Sequence, residues 1–355
     1  MVALTLRAPQ VGTIAATAAA AAGAVVAYLW LRLRASARRG FVPVGRLANL
    51  FIYPIKSIAG IEVPYADCTV TGPVYQGLHD RLMLVVKGDY FVSMREEPRL
   101  GLIRASFEKG QLKLTADGHP PLVIDVCDRT LRNKPSFTVR MRTFSYNAVE
   151  VSAEASQWFR DYLQSDNARL VRILLDQDAL DRGKNCPTPV ACQDESAFHV
   201  LSKASLDGLL SRLPPGSNIG RDNFRPAFFV DDCEAHAEAS DHWERVRIGD
   251  AEQAFSHRTT RCLLTTVDQV AAVRTDKEPL TTLRKVALCG HPVRLPCSEP
   301  LLLGLLGRYR VDQSDRGRQR YQSQPLLGIS TYHIAPGRIT VGDTVYAQVS
   351  PEPLL

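Results

Sequence analysis

The chain has 355 residues, 45% hydrophobic and 23% charged, a globular make-up with room for two domains and not that of a disordered tract. Its formal charge of +6 is uneven: residues 1–40 hold five arginines and no acid, so the rest carries 38 basic against 37 acidic side chains. A body that close to neutral lacks the basic footprint of phosphate-backbone binding, so no nucleic-acid partner is expected.

The first predicted element is "APQVGTIAATAAAAAGAVVAYLWL", 24 uncharged residues between Arg7 and Arg32. It is long enough to cross a bilayer core at about 1.5 Å per residue. Tyr28 and Trp30 stand at its end, ahead of four arginines in "RLRASARRG". Basic flanks stay cytoplasmic, so residues 1–40 read as a membrane anchor with the body in the cytosol. The alternatives are a cleaved signal or transit peptide. A short anchor with basic flanks fits the mitochondrial outer membrane, with the endoplasmic reticulum or peroxisomal membrane as alternatives.

From Arg46 onward β-branched and aromatic residues punctuated by Pro and Gly predict strands in "RLANLFIYPIKS" and "IEVPYADCTVT". Hairpins follow in "RLMLVVKGDYFVSM", turning at Lys87-Gly88-Asp89, and in "LKLTADGHPPLVIDV". "SAEASQWFRDYLQS" predicts a helix capped by Ser152, with Ala155, Trp158, Phe159 and Leu163 on its apolar stripe. Residues 176–189 read as a linker, and "SKASLDGLLSRL" as a second helix capped by Ser202. Strands resume in "FRPAFFVDD", "WERVRIGDAEQAF", "RCLLTTV" and "GRITVGDTVYA". The fold class is mainly β with some α: a β-rich domain over 45–185 and a β-barrel-like domain over 186–350.

No dinucleotide, P-loop, hydrolase-elbow or zinc-protease motif is present. The eight cysteines form no CxxC pair, which argues against structural zinc and against a disulfide-stapled fold, and they read as reduced thiols. "DDCEAHAEASDH" (231–242) reads as a solvated acidic loop, not a metal cluster. Cys262 stands apart. A cysteine opening a strand is ordinarily core filling, but His257, Arg258 and Arg261 precede it, and cations favour the thiolate that binds soft metals. Lys56 in "YPIKS", Arg81 in "HDRLMLV" and Arg225 in "DNFRPAFF" are single cations in apolar surroundings. With Cys262 they suggest an anionic ligand held by Lys and Arg, one thiolate reaching a metal.

"LFIYPIKS", "DRLMLV", "REEPRL", "NFRPAFFV", "RCLLTTVD", "KEPLTTL" and "ITVGDTVY" resemble, in that order, the motifs of the MOSC-domain proteins, and among them those of the mitochondrial amidoxime-reducing components. The resemblance spans about Arg46 to Tyr346. It implies that 45–185 is the MOSC N-terminal domain and 186–350 the MOSC domain. It implies the molybdenum cofactor, with Cys262 as metal ligand and catalytic residue. Lys56, Ser57, Arg81, Asp194, Glu195, Ser196, Arg225, Thr260 and Arg261 match cofactor-binding positions. Three positions depart from the family: Ala227 where Asn is common after "FRP", Glu195 for a Thr, and Ser330 for a Tyr.

The implied activity is reduction of small N-hydroxylated compounds (amidoximes, hydroxylamines), with electrons from cytochrome b5 and NADH-cytochrome b5 reductase, since the chain shows no nicotinamide or flavin site. Asp194 is a candidate proton donor. The alternatives are a molybdenum-cofactor carrier or sulfur-transfer protein, and an anchored β protein without cofactor. No aminotransferase-like domain accompanies the chain, so pyridoxal phosphate is not expected. Residues 286–308, "VALCGHPVRLPCSEPLLLGLLGR", interrupt the family spacing between Lys285 and Tyr309 and read as an insertion.

Overall fold

The opening strand Val42–Ile52 buries Leu47, Leu50, Phe51 and Ile52, and it starts an architecture dominated by strands. The computed structural model describes residues 40–126, 131, 133–184, 186–233, 239–275, 277–284, 310–312 and 314–355. The anchor stretch 8–31 and the insertion 286–308 lie outside them. Among the described residues no helix is long and apolar enough to cross a membrane.

Two sheets position the site. The larger has eight strands in the order Phe228–Asp231, Phe198–Ser202, Leu326–Ala335, Ala251–Thr260, Trp243–Ile248, Thr344–Val349, Val42–Ile52, Ile61–Glu62. Val42–Ile52 also pairs antiparallel with Phe228–Asp231, which joins seven of the strands into a ring. The approach there is close: a Cβ on Gly45 would stand 2.7 Å from the Asp231 carbonyl oxygen, so only glycine fits. The second sheet is a closed five-stranded barrel of Phe137–Met141, Phe144–Glu150, Ala168–Ile173, Met83–Lys87 and Tyr90–Phe91. The expected hairpin at 87–89 is present, with Lys87 opposite Tyr90, and so is that of 111–125. Strands from before and after residue 186 share sheets: Tyr65–Thr69 also pairs with Gly337–Thr340.

The barrel has its own apolar filling, including Leu84, Val86, Val139, Met141 and Val171. The helix Ala153–Leu163 forms as its pattern predicts. The Ser152 hydroxyl accepts from the Ala155 N–H at 2.9 Å, Gln164 ends the helix in a left-handed conformation, and Ala155, Trp158, Phe159 and Leu163 are buried. The helix Lys203–Leu210 starts at its Ser202 cap.

Three expectations are corrected. Residues 176–189 are not all linker: Asp176 caps the Ala179 N–H at 2.6 Å and starts the helix Gln177–Gly183. "RCLLTTV" is not a strand. The long strand ends at Thr260, and Leu263–Thr266 is a 3₁₀ turn. Its cause is local, because the Thr265 and Thr266 hydroxyls donate back to the carbonyls of Cys262 and Leu263 at 2.9 and 2.8 Å, which offers the backbone an alternative to the ladder. Finally, Asp241 is not a solvated loop residue but is buried 3.2 Å from Arg310.

Candidate active site

Loops from both ends of the chain are tied together backbone to backbone. The Arg81 N–H donates to the Tyr53 carbonyl at 2.6 Å, Lys56 to Met83 at 2.8 Å, Cys192 to Arg81 at 2.9 Å and Arg261 to Pro325 at 2.8 Å. Between these loops lies a cleft of about 340 Å³. Lys56, Ser57, Arg81, Asp194, Glu195, Ser196, Arg225, Thr260, Arg261 and Cys262 all line it. The sequence had scattered them over some 200 positions.

The cleft is built around cations. Lys56, Arg81, Arg95, Arg142, Arg225 and Arg261 face it, against the two carboxylates of Asp194 and Glu195. Lys56 is buried, donating to the Cys192 carbonyl at 2.9 Å and lying 3.1 Å from Asp194. Burial lowers its pKa, and Asp194 opposes that shift. The guanidinium groups of Arg81 and Arg225 both stack on the ring of Tyr53, at 4.6 and 4.2 Å. The ring's π-face offsets part of the repulsion between the two charges. Tyr53 itself stays neutral, since burial raises its pKa against the pull of both arginines, and its hydroxyl donates to the Pro226 carbonyl at 3.1 Å. Beneath them the fully buried Asp80 accepts from Arg81 at 2.6 Å and from the Tyr53 N–H at 2.9 Å. Burial and the neighbouring Arg81 charge draw Arg225 down to about 10, still protonated at neutral pH.

Backbone strain collects at the same place. Ser57, Arg81 and Arg225 have φ of 72°, 49° and 52°, a left-handed region that costs non-glycine residues on the order of 1–3 kcal/mol each. Four buried polar atoms of cleft residues have no partner: Ser57 Oγ, Arg95 Nε, Gln193 Oε1 and Arg225 Nη2. Strain, concentrated charge and the three of these atoms that can donate (Ser57 Oγ, Arg95 Nε and Arg225 Nη2) are what an anionic ligand would relieve.

The opposite wall carries the thiol. Cys262 is exposed and opens the 263–266 turn, which Asn223 clamps by donating to the carbonyls of Thr265 and Val267 at 3.2 and 2.9 Å. It is therefore not core filling. Of the cations preceding it only Arg261 reaches the cleft. Arg258 lies on the other face of the strand against Asp312 and Asp241. Arg261 is buried, donating to the Leu327 carbonyl at 3.0 Å and to His199 Nε2 at 2.5 Å. Burial brings its pKa down to about 10. Accepting at Nε2 leaves the His199 proton on Nδ1, 3.3 Å from the Arg225 carbonyl. Burial and Arg261 keep that ring neutral. Gly328 permits this contact, since a Cβ there would sit 2.9 Å from His199 Nε2, and its φ is +76°.

Asp194 is corrected as a proton donor. Burial would raise its carboxyl, but Lys56 and Arg142 outweigh burial and hold it at about 2, so it is an ionised partner of Lys56. The departures sort by position. Ala227 is buried and is not among the cleft-lining residues. Ser330 lines the cleft and bonds Thr259 at 3.0 Å. Glu195 takes the Thr260 hydroxyl and His257 Nε2, the latter at 3.0 Å. The sequence reading missed Tyr53, Asp80, Arg95, Arg142, Gln193, His199 and Asn223. The one available signal was membership of a motif, as Tyr53, Asp80, Arg95 and Asn223 lie inside the quoted stretches.

This fold and cleft define the class: residues 44–166 match the MOSC N-terminal beta barrel domain and 187–346 the MOSC domain. The chain is 35% identical over 349 residues to mitochondrial amidoxime-reducing component 1 of Mus musculus, covering 96% of this chain and 92% of that one. It is 34% identical over 326 residues to mitochondrial amidoxime reducing component 2 of Bos taurus (90% and 88%). Component 1 of Homo sapiens matches at 32% over 341 residues (92% and 90%). More particularly, then, the chain belongs to the amidoxime-reducing component family of MOSC proteins.

Proposed function

We propose that the chain is a molybdenum-cofactor-dependent reductase of small N-hydroxylated compounds such as amidoximes and hydroxylamines. The observation that carries this reading is the exposed Cys262 thiol on a cleft that also holds six cations and four unpartnered buried polar atoms. That donor set fits a phosphate-bearing pterin with a thiophilic metal. Lys56, Ser57, Arg81, Arg225 and Arg261 would hold the anionic portion, Asp194, Glu195, Ser196 and Thr260 would line the rest of its site, and Cys262 would ligate molybdenum. When bound, the cofactor supplies the two-electron reduction of the N–O bond.

The chain's own residues bind, orient and neutralise. Tyr53 and Asp80 fix two guanidinium groups before the anion arrives, so less ordering is paid for on binding. Arg261 joins the cation wall to the thiol, being adjacent in sequence to Cys262. With no dinucleotide motif in the sequence, electrons would come from cytochrome b5 and NADH-cytochrome b5 reductase. The names of the relatives support a mitochondrial setting, and residues 1–40 would anchor the body on the cytosolic face of the outer membrane.

Metal analysis of the purified chain followed by turnover of an amidoxime with reduced cytochrome b5 tests the proposal. Molybdenum near one per chain with turnover is expected. Molybdenum without turnover would favour a carrier or sulfur-transfer role, and no molybdenum would refute the cofactor.

A further inference from the structure

Reducing a hydroxylamine consumes protons as well as electrons: R–NH–OH + 2e⁻ + 2H⁺ gives R–NH₂ + H₂O. Most of the cleft wall is unsuited to supplying them. Its lysine and arginines carry charge that binds an anion, Asp194 is held ionised, and His199 is locked as a neutral ring between Arg261 and Arg225. Glu195 differs from these. It lines the cleft with a side chain 30% exposed, and it is the wall's one carboxylate, among the described residues, that bonds outward to a titratable ring.

That ring is His257, whose Nε2 lies 3.0 Å from Glu195 Oε2, while its Nδ1 lies 2.8 Å from the Ser256 hydroxyl. Neither His257 nor Ser256 lines the cleft. Ser256 is half-buried on the strand Ala251–Thr260, so the chain of three groups runs from the cleft wall to a half-buried serine. The backbone is adapted to this. The pairing with the strand Leu326–Ala335 shifts register between Phe255 and His257, a bulge that re-aims side chains next to a site. The surrounding groups are Arg261 and Asp194 on the cleft side, Ser330 opposite His257 in the ladder, Tyr321 beside Arg258, and Arg320, which donates to the Ser256 carbonyl at 2.8 Å. The Thr260 hydroxyl donates to the other Glu195 oxygen and holds the carboxylate in place.

We infer that Glu195, His257 and Ser256 form the proton-delivery relay of the cleft, an assignment that rests on the reductase reading above. In each transfer Glu195 passes to the oxygen that leaves as water, or to the nitrogen it leaves behind, the proton it receives from His257 Nε2. His257 takes its replacement at Nδ1 from the Ser256 side, where solvent supplies it. Ring reorientation resets the imidazole. Two such transfers match the two electrons delivered singly by a haem-protein donor, so charge and mass balance over one turnover.

The test uses the purified full chain, with turnover expressed per bound molybdenum. Glu195→Gln is expected to lower kcat about 100-fold with KM little changed, the usual size for a lost general acid. Glu195→Asp should recover part of this. His257→Gln should lower kcat at least about tenfold, and added imidazole should restore it, which a structural role for the ring would not allow. A readout independent of turnover is ¹⁵N-histidine NMR. The His257 Nε2 proton should exchange with water at least about tenfold faster in Glu195→Gln than in the wild type, because its acceptor has changed. An active wild type whose variants match it in kcat per molybdenum and in exchange overturns the relay alone. A molybdenum-loaded wild type with no turnover overturns the reductase reading, and the relay falls with it.

Discussion

Replacing Asp80 by Asn isolates the charge that underpins the cation wall. The carboxylate is fully buried and lies 2.6 Å from an Arg81 guanidinium only 14% exposed, with Arg225 stacked on the same tyrosine ring. Asn can still accept from the Tyr53 N–H, so what is lost is the countercharge. Two cations then share a buried site without the carboxylate that touches Arg81, and breaking such a pair costs about 3–5 kcal/mol. Asp80→Ala also leaves the Tyr53 N–H unpaired, which adds about 1–3 kcal/mol. At roughly 2 °C per kcal/mol, Asp80→Asn should melt about 6–10 °C below the wild type. The control is Asp67→Asn, which breaks an exposed bidentate pair with Arg338 at 2.9 and 3.0 Å and should cost under about 1 kcal/mol. Thermal melts followed by circular dichroism decide the matter, with molybdenum content as a second readout that should also fall. Inorganic phosphate should restore more stability to Asp80→Asn than to the wild type, because an anion replaces the missing charge. A melt of Asp80→Asn within about 1 °C of wild type, or no worse than the Asp67→Asn control, would refute the electrostatic reasoning.

Cys262→Ala removes an exposed thiol, so the stability of the cofactor-free chain should hold within about 0.5 kcal/mol while molybdenum and amidoxime reduction are lost; Cys233→Ala should keep both, and full activity in Cys262→Ala would sink the metal-thiolate assignment. Tyr53→Phe keeps the ring under Arg81 and Arg225 and should retain cofactor, whereas Tyr53→Leu loses cation–π contacts of about 1–2 kcal/mol each and should shed it on dialysis. Asp194 is depressed to about 2, so its share of stability is complete above its unfolded value of about 3.9 and is lost as pH falls through about 2. Melts between pH 5 and 2 should therefore show a shallower acid limb for Asp194→Asn. Removal of residues 1–40 should leave a soluble, active body, since every cleft residue lies beyond them; loss of cofactor on truncation would contradict this.

Local chemistry was legible in the amino-acid order. The Ser152 and Ser202 caps and the apolar stripe of 153–163 depend on neighbours within a few positions and formed as read, and the hairpin expected to turn at 87–89 turns at Gly88-Asp89, with Lys87 in the strand. The motif resemblance named ten residues, all of which line the cleft. Lines of force between distant segments were not legible. Nothing local marks Tyr53 as the surface beneath two guanidinium groups from positions 81 and 225, nor Asp80 as their countercharge. Arg258 and Arg261 look equivalent in the sequence, yet one turns to Asp312 and the other to His199. The turn at Cys262 depended on threonine hydroxyls that compete with the strand ladder, and its placement depended on Asn223. Glu195 read only as a departure from the family's Thr, and the tertiary structure alone set it against His257 and Thr260. Hydrogen bonds and ion pairs act over about 3 Å, so the chain had to fold before those partners existed.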